Sequence, residues 1–268
     1  MVRKAHPFVA TIDIGSCTLT GIVYLVGAGP GAPDLLTVRA ANLLARADIV
    51  FHDALIHPDT LALAQCAERI AVGKRCGRHS TAQRFINKRL VDAAAKYDVV
   101  VRLKGGDPML FGRAQEEIDA LEAAGVRYEV VPGVTAALAA AAALGTSLTQ
   151  RGTVRSFALA TPRVGEGFDR SDWIDGLRHA DAGAIYMGRK EAADIAASLI
   201  ASGMPASVPV AVVVDASLES EQTHYTTLAS LPAIAEREIA GAAVLLIGPQ
   251  FRSRKAESLD DARIARRA

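Results

Sequence analysis

The chain has 268 residues, half of them hydrophobic, with 30 Lys and Arg against 29 Asp and Glu for a net charge of +1. That length buries a sizeable core in one large or two ordinary domains, and the even charge balance excludes a protein built to grip polyanions over a broad face. Residues 252–268 hold six Lys or Arg against three Asp or Glu, so the body before them is slightly acidic, unlike the folded surface of a nucleic-acid binder. The three cysteines, Cys17, Cys66 and Cys76, are odd in number and widely spaced. They argue against a disulfide framework and for a reducing, cytoplasmic setting. No apolar run approaches the roughly 20 residues of a membrane span, and Asp13 interrupts any signal-like core near the start. Neither nucleic acid nor membrane is an expected partner.

Periodicity predicts strands and helices in alternation. A buried strand at Val23 to Gly27 precedes a helix at Asp34 to Ala47; strands follow at Ile49 to His52 and Arg69 to Val72, then an amphipathic helix at Thr81 to Lys96. A strand at Val99 to Leu103, a helix at Arg113 to Ala124 and a strand at Tyr128 to Val131 complete a first half. Strands separated by helices imply parallel pairing with helices on both faces. After Pro132-Gly133 a helix at Val134 to Leu144 leads into strands at Ser156 to Ala160, Ala184 to Met187, Pro209 to Val214, Thr223 to Thr227 and Ala243 to Ile247. Helices are expected near Glu191 to Ala201 and Ser230 to Ile239. No helix separates the third and fourth of these strands, so a hairpin and a mixed sheet are expected. The reading is α/β: an extension over 1–20, an N-terminal domain over 21–132, a C-terminal domain over 133–251 and a basic tail over 252–268.

Three turns carry the site. Gly27-Ala28-Gly29-Pro30-Gly31, Leu103-Lys104-Gly105-Gly106-Asp107-Pro108 and Val131-Pro132-Gly133-Val134-Thr135-Ala136 each follow an apolar strand and precede a helical segment, so all three open toward one crevice. Glycine lets the backbone approach a ligand closely, and Asp107 adds a negative charge suited to a small ligand with a cationic centre. The first turn lacks the G-x-G-x-x-G spacing of a dinucleotide site, and Pro30 stiffens it. Cys76 with His79 falls short of a four-ligand metal site, and no metal is expected. Arg75, Arg78, Arg113, Arg151 and Arg155 lie in loops or at element starts, where each is either a solvated charge or a fork for carboxylates. Asp53 is either an acid/base group or a turn residue, and Met187 either a ligand contact or a core methionine.

Continued by Ala32-Pro33-Asp34-Leu35-Leu36-Thr37, the first turn resembles that of the tetrapyrrole methylases, S-adenosylmethionine enzymes with two α/β domains. His52-Asp53-Ala54-Leu55-Ile56, Val72 to Ser80, Val101 to Pro108, Phe111-Gly112-Arg113 with Glu116-Glu117, Val131 to Ala136 and Leu148 to Arg151 are similar to segments of the branch that methylates uroporphyrinogen III. The resemblance runs from about Val23 to Gly248. It implies the tetrapyrrole methylase fold with its active site in the interdomain crevice. It also implies S-adenosylmethionine-dependent C-methylation of uroporphyrinogen III at C2 and C7 to precorrin-2, with S-adenosylhomocysteine released, by a cytoplasmic homodimer. The product would feed sirohaem, cobalamin or another modified tetrapyrrole; no dehydrogenase or chelatase segment is recognised, so those steps are expected elsewhere.

Carried over residue by residue, the resemblance puts donor contacts at Pro30, Gly105, Gly106, Asp107, Thr135, Ala136, Met187, Ala211 and Ala243. It puts substrate contacts at Arg75, Arg78, Arg113 and Arg151. Asp53 is the leading proton acceptor, Glu116 the second, and Arg113 polarises the substrate. The chain departs from the pattern where Ala114 and Gln115 replace two glycines, where Gln150 replaces a histidine, at Thr161-Pro162-Arg163 and at Ala54. Those departures keep two alternatives open: a methylase of a later precorrin, and a non-catalytic homologue that binds only the donor.

Overall fold

Alternation of β-branched strands with amphipathic helices folds the first part of the chain into a wholly parallel sheet. The computed structural model describes residues 21–72, 83–163, 173–237 and 240–253. Strands β1 (Ile22–Gly27), β2 (Ile49–His52), β3 (Glu68–Ala71), β4 (Val99–Lys104) and β5 (Arg127–Val131) pair in the order β3-β2-β4-β1-β5, all in parallel. Helix α1 (Val38–Ala45) packs Leu43 and Leu44 on one face with Val26 and Leu103, and Ala64, just beyond α2 (Pro58–Ala62), joins them. Helices α3 (Gln83–Ala94) and α4 (Ala114–Ala123) pack Leu90, Ile118 and Leu121 on the other, against Leu25 and Val100. The connections leaving β1 and β4 therefore run over opposite faces, which opens a crevice at their C-terminal ends.

The second sheet is mixed. Strands β6 (Phe157–Ala160), β7 (Ala182–Tyr186), β8 (Pro209–Val214), β9 (Gln222–Thr227) and β10 (Ala243–Ile247) lie in the order β6-β7-β10-β8-β9, with only β6 and β7 parallel. The expected hairpin is β8 with β9. Helix α5 (Ala136–Ala143), almost all alanine, lies close on one face against Ala184, Ala211 and Leu246. Helices α6 (Trp173–Arg178), α7 (Ala192–Ala201) and α8 (Pro232–Ala235) cover the other through Leu177, Ile195, Leu199 and Ile234.

Three local readings change. The helix expected at Asp34 to Ala47 is a 3-10 turn at Pro33–Leu35 followed by α1, because Thr37 is extended and its hydroxyl accepts from Ala40 N at 3.2 Å, which caps a fresh helix. The short helices α2 and α6 lack the length that periodicity needs to register. Of the helix expected at Ser230 to Ile239, whose last two residues lie outside the described ones, the structure forms α8, which starts at Pro232, where a missing N–H costs nothing. Among the described residues no helix is long and apolar enough to cross a membrane.

Candidate active site

Glycine decides how closely the first-sheet turns approach one another. Ala28 N donates to Lys104 O at 2.7 Å, and Gly29 and Gly106 exchange main-chain bonds of 2.7 and 3.2 Å. Both adopt left-handed φ, +74° and +66°, which only glycine holds without strain. A Cβ on Gly27 would lie 2.6 Å from Gly133 Cα and 2.7 Å from Gly106 O, so the third turn is pressed onto the other two. Asp107 locks the join, its Oδ1 accepting from Met109 N at 2.8 Å and its Oδ2 from Gly133 N at 2.9 Å. Both oxygens hold turns together, so the fixed negative charge expected at Asp107 also serves as a brace. Gly105 is different: nothing lies within 4 Å of a Cβ built there, and its backbone faces open space.

The second sheet supplies the opposite wall. Tyr186, at the end of β7, shares a 2.7 Å hydrogen bond with Thr135 Oγ1 and accepts from Ala137 N at 3.1 Å. Burial pushes its phenol up, so it stays protonated. Its ring centroid stands 5.2 Å from that of Phe111, and Phe111, Leu159 and Trp173 wall an apolar recess of about 210 Å³. Ser217 Oγ accepts from Ala32 N at 3.1 Å, and Leu218 lies where a side chain on Gly31 would stand. Among the described residues, the non-glycine positions with positive φ are Phe111, Arg113, Met187, Asp215 and Ser217. All follow β4, β7 or β8, and backbone strain of this kind gathers at functional turns. Pro30, Gly105, Gly106, Thr135, Ala136 and the exposed Met187 come together here.

Two expected donor contacts do not. Ala211 is fully buried in the middle of β8, paired on both sides and packed against α5, so no ligand reaches it. Ala243 begins β10 at the crevice end of the sheet, but it packs with the core on the α7 face, away from α5. Residues 215–218, after β8, take the place expected of Ala211; the run of valines before them gave no hint that the turn, and not the strand, meets the crevice.

A buried charge set lies beneath the turns. Arg102 and Lys104 alternate on β4 toward α4, and Glu117, fully buried, meets both: Arg102 Nε to Oε1 at 3.0 Å and Lys104 Nζ to Oε2 at 2.8 Å. Arg102 Nη2 reaches Asp53 Oδ1 at 2.6 Å, Arg102 Nη1 donates to Leu103 O at 3.1 Å, and Gln83 Nε2 donates to Glu117 at 3.2 Å. Burial alone would lower Arg102, but Asp53 and Glu117 outweigh it and hold the guanidinium above its ordinary range. Burial, then the Arg102 charge, pushes Lys104 down although Glu117 opposes them. A central parallel strand normally reads as unbroken apolar sequence. Two cations inside one were the signal that buried carboxylates must answer them.

At the exposed end of α4, Arg113 grips Glu116 through two bonds, Nε to Oε1 at 2.7 Å and Nη2 to Oε2 at 2.8 Å. Those bonds hold the Glu116 carboxyl below the usual carboxylate range. Arg151 is exposed in the turn closed by the Gln150 and Val154 bridge. Nearby Arg155 N donates to Asp181, which precedes β7, and Leu148 O accepts from Gln250, beyond the end of β10. This is the end of the second sheet opposite Met187, so within one chain Arg151 does not join Arg113. Arg75 and Arg78 lie outside the described residues. Ala114 and Gln115, which replace glycines of the motif, sit in regular helix at the start of α4 and need no glycine.

Two α/β sheets, one parallel and one mixed, that meet at a glycine-braced crevice with strained turns on both walls define the class of fold. The family model of tetrapyrrole (corrin/porphyrin) methylases matches residues 22–232, and the chain belongs to this family. It is 38% identical to the native form of uroporphyrin III C-methyl transferase from Thermus thermophilus, over 85% of this chain and 97% of that one, with a TM-score of 0.75. The same values hold for that enzyme complexed with S-adenyl homocysteine. A cobalt precorrin-4 methyltransferase is 29% identical over 90% of this chain and 99% of its own, with a TM-score of 0.76. Siroheme synthase of Chromobacterium violaceum is 43% identical over 239 residues, which are 88% of this chain and 51% of that protein. The chain thus spans about half the length of the curated relatives it matches.

Proposed function

We propose that this chain catalyses S-adenosylmethionine-dependent C-methylation of uroporphyrinogen III, at C2 and then C7, giving precorrin-2. The observation that carries the reading is the 38% identity through 97% of the Thermus C-methyl transferase. The crevice suits the donor: the main chain at Gly105 faces open space, and the turns that carry Pro30, Gly106, Thr135, Ala136 and Met187 offer contacts to it. When bound, S-adenosylmethionine supplies a methyl group already activated by its sulfonium. The chain is then left to position, to exclude water and to take up one proton. Alignment in the crevice is worth roughly 7–11 kcal/mol of barrier.

Asp53 takes the proton in this reading, its Oδ1 held by Arg102 and its Oδ2 open to the substrate among the described residues. Glu116 holds Arg113 through Nε and Nη2, and among the described residues its Nη1 is open to a substrate carboxylate. Phe111, Leu159 and Trp173 offer an apolar surface to the macrocycle. The proposal includes a homodimer in the cytoplasm: the family resemblance supports the first, and the free, exposed Cys66 suits a reducing compartment. Light scattering in solution tests the dimer.

The deciding experiment incubates the protein anaerobically with S-adenosylmethionine and uroporphyrinogen III and follows product mass. Two added methyl groups are expected. A second reading, a later precorrin as substrate, rests on the likeness to the cobalt precorrin-4 methyltransferase; no transfer to uroporphyrinogen III with donor still bound would favour it.

A further inference from the structure

The charge set under β4 is larger than holding Asp53 in place requires. A single cation would anchor one carboxylate oxygen, yet two cations and a second, fully buried carboxylate lie behind it. We propose that Arg102, Lys104 and Glu117 are positioning residues for proton uptake at Asp53, with Glu117 as the counter-charge that lets Arg102 orient Asp53 without fixing it as a carboxylate. The inference rests on the reading of Asp53 as proton acceptor and adds to it the groups that govern it.

The geometry carries the argument. Arg102 is oriented from three sides, by Glu117 on Nε, by Leu103 O on Nη1 and by Asp53 on Nη2. Asp53 Oδ1 is therefore set to within the tolerance of a 2.6 Å charged bond. An unshared guanidinium so close would favour the ionised carboxylate strongly and make proton uptake unfavourable. Glu117 divides that field, and Lys104 in turn shares Glu117, so two cations and two carboxylates balance before the reaction. A proton taken by Asp53 leaves one uncompensated positive charge, which Glu117 shares between Arg102 and Lys104. Among the described residues, the other titratable groups near the set are His52, whose Nδ1 lies 3.1 Å from Asp53 O, and the Arg113 and Glu116 pair at the start of α4. Gln83, from α3, is neutral.

The test is the pH dependence of single-turnover methyl transfer from S-adenosylmethionine to uroporphyrinogen III in K104M, E117Q and the double variant K104M/E117Q, with donor affinity measured by calorimetry on each. Removing the Lys104 charge is expected to move the acid limb up by roughly half to one pH unit, and removing the Glu117 charge to move it down by a similar amount. The double variant, balanced again, is expected to return near the wild-type limb, with donor affinity within about twofold throughout. E117Q leaves two buried cations with one fewer partner; if it does not fold, K104M and the double variant decide. An acid limb that stays in place in K104M overturns the proposal, as does a double variant whose limb does not return. D53N separates the underlying reading: a loss of about 100-fold or more with donor binding intact supports Asp53 as acceptor. A D53N variant of near wild-type rate overturns that reading and the proposal with it, whereas inactive D53N beside an unmoved K104M profile overturns the proposal alone.

Discussion

The two sheets solve different problems with similar materials. The parallel sheet buries charge: its central strand carries Arg102 and Lys104, answered by Glu117 from α4, and its turns are knitted through glycines too close for any side chain. The mixed sheet buries none in its central strands; β8 and β10 are apolar throughout, and the polar groups it adds come from its turns, as Tyr186 and Ser217. Chemistry therefore concentrates at the strand ends of one sheet, while the other supplies a wall. A buried ion set costs stability unless every member is paired, so it persists where function demands charge and is absent where packing suffices.

The largest expected effect separates two neighbours in sequence. Glu117→Ala leaves Lys104 buried without its carboxylate and Arg102 with Asp53 alone, and should lose roughly 3–5 kcal/mol of unfolding free energy, whereas Glu116→Ala, one residue away in an exposed pair, should lose about 0–1 kcal/mol. Denaturant titration of both checks it, and equal losses would erase the contrast. Next, Gly133→Ala forces a side chain into Gly27 and Gly106 and should cost about 1–3 kcal/mol with weaker donor binding. In the second sheet, Gly203→Ala, where space is open but φ is +99°, should cost stability through backbone strain alone and leave donor binding unchanged.

Tyr186→Phe removes the hydroxyl that meets Thr135 and Ala137 N, so about 1 kcal/mol of stability and a few-fold of donor affinity should go with it. The smallest effect is a pH dependence. Arg113 depresses Glu116 in the folded state, so the stability from this pair is present above the ordinary carboxylate range. It is lost as pH falls through the depressed value. Comparing wild type with Glu116→Gln between pH 6 and roughly 3 should expose a difference that closes toward the acid end; a difference that widens there would reverse the sign.

Much of this was legible locally. Strand periodicity, the Pro and Gly turns and the hairpin of β8 with β9 follow from interactions over a few residues, and so did the opening of three strand-end turns toward one crevice; that Gly27, Gly106 and Gly133 press on one another follows from the strand order β4-β1-β5. Asp53, Arg113 and Met187 were singled out by residue type and motif alone. What the sequence by itself determined is thus the alternation of elements, the placement of the three turns and the membership of the tetrapyrrole methylase family. Only the tertiary structure decided that Ala211 is sealed inside a sheet, that Arg151 stands at the far end from Arg113, and that Asp107 braces turns. The same holds for Glu117, one helical position from an exposed pair, which closes a buried charge set with Arg102, Lys104 and Asp53. Each of those outcomes depends on which strand lies beside which and on the face a helix presents to it, and burial and Coulomb interaction act through space between residues that the chain keeps far apart.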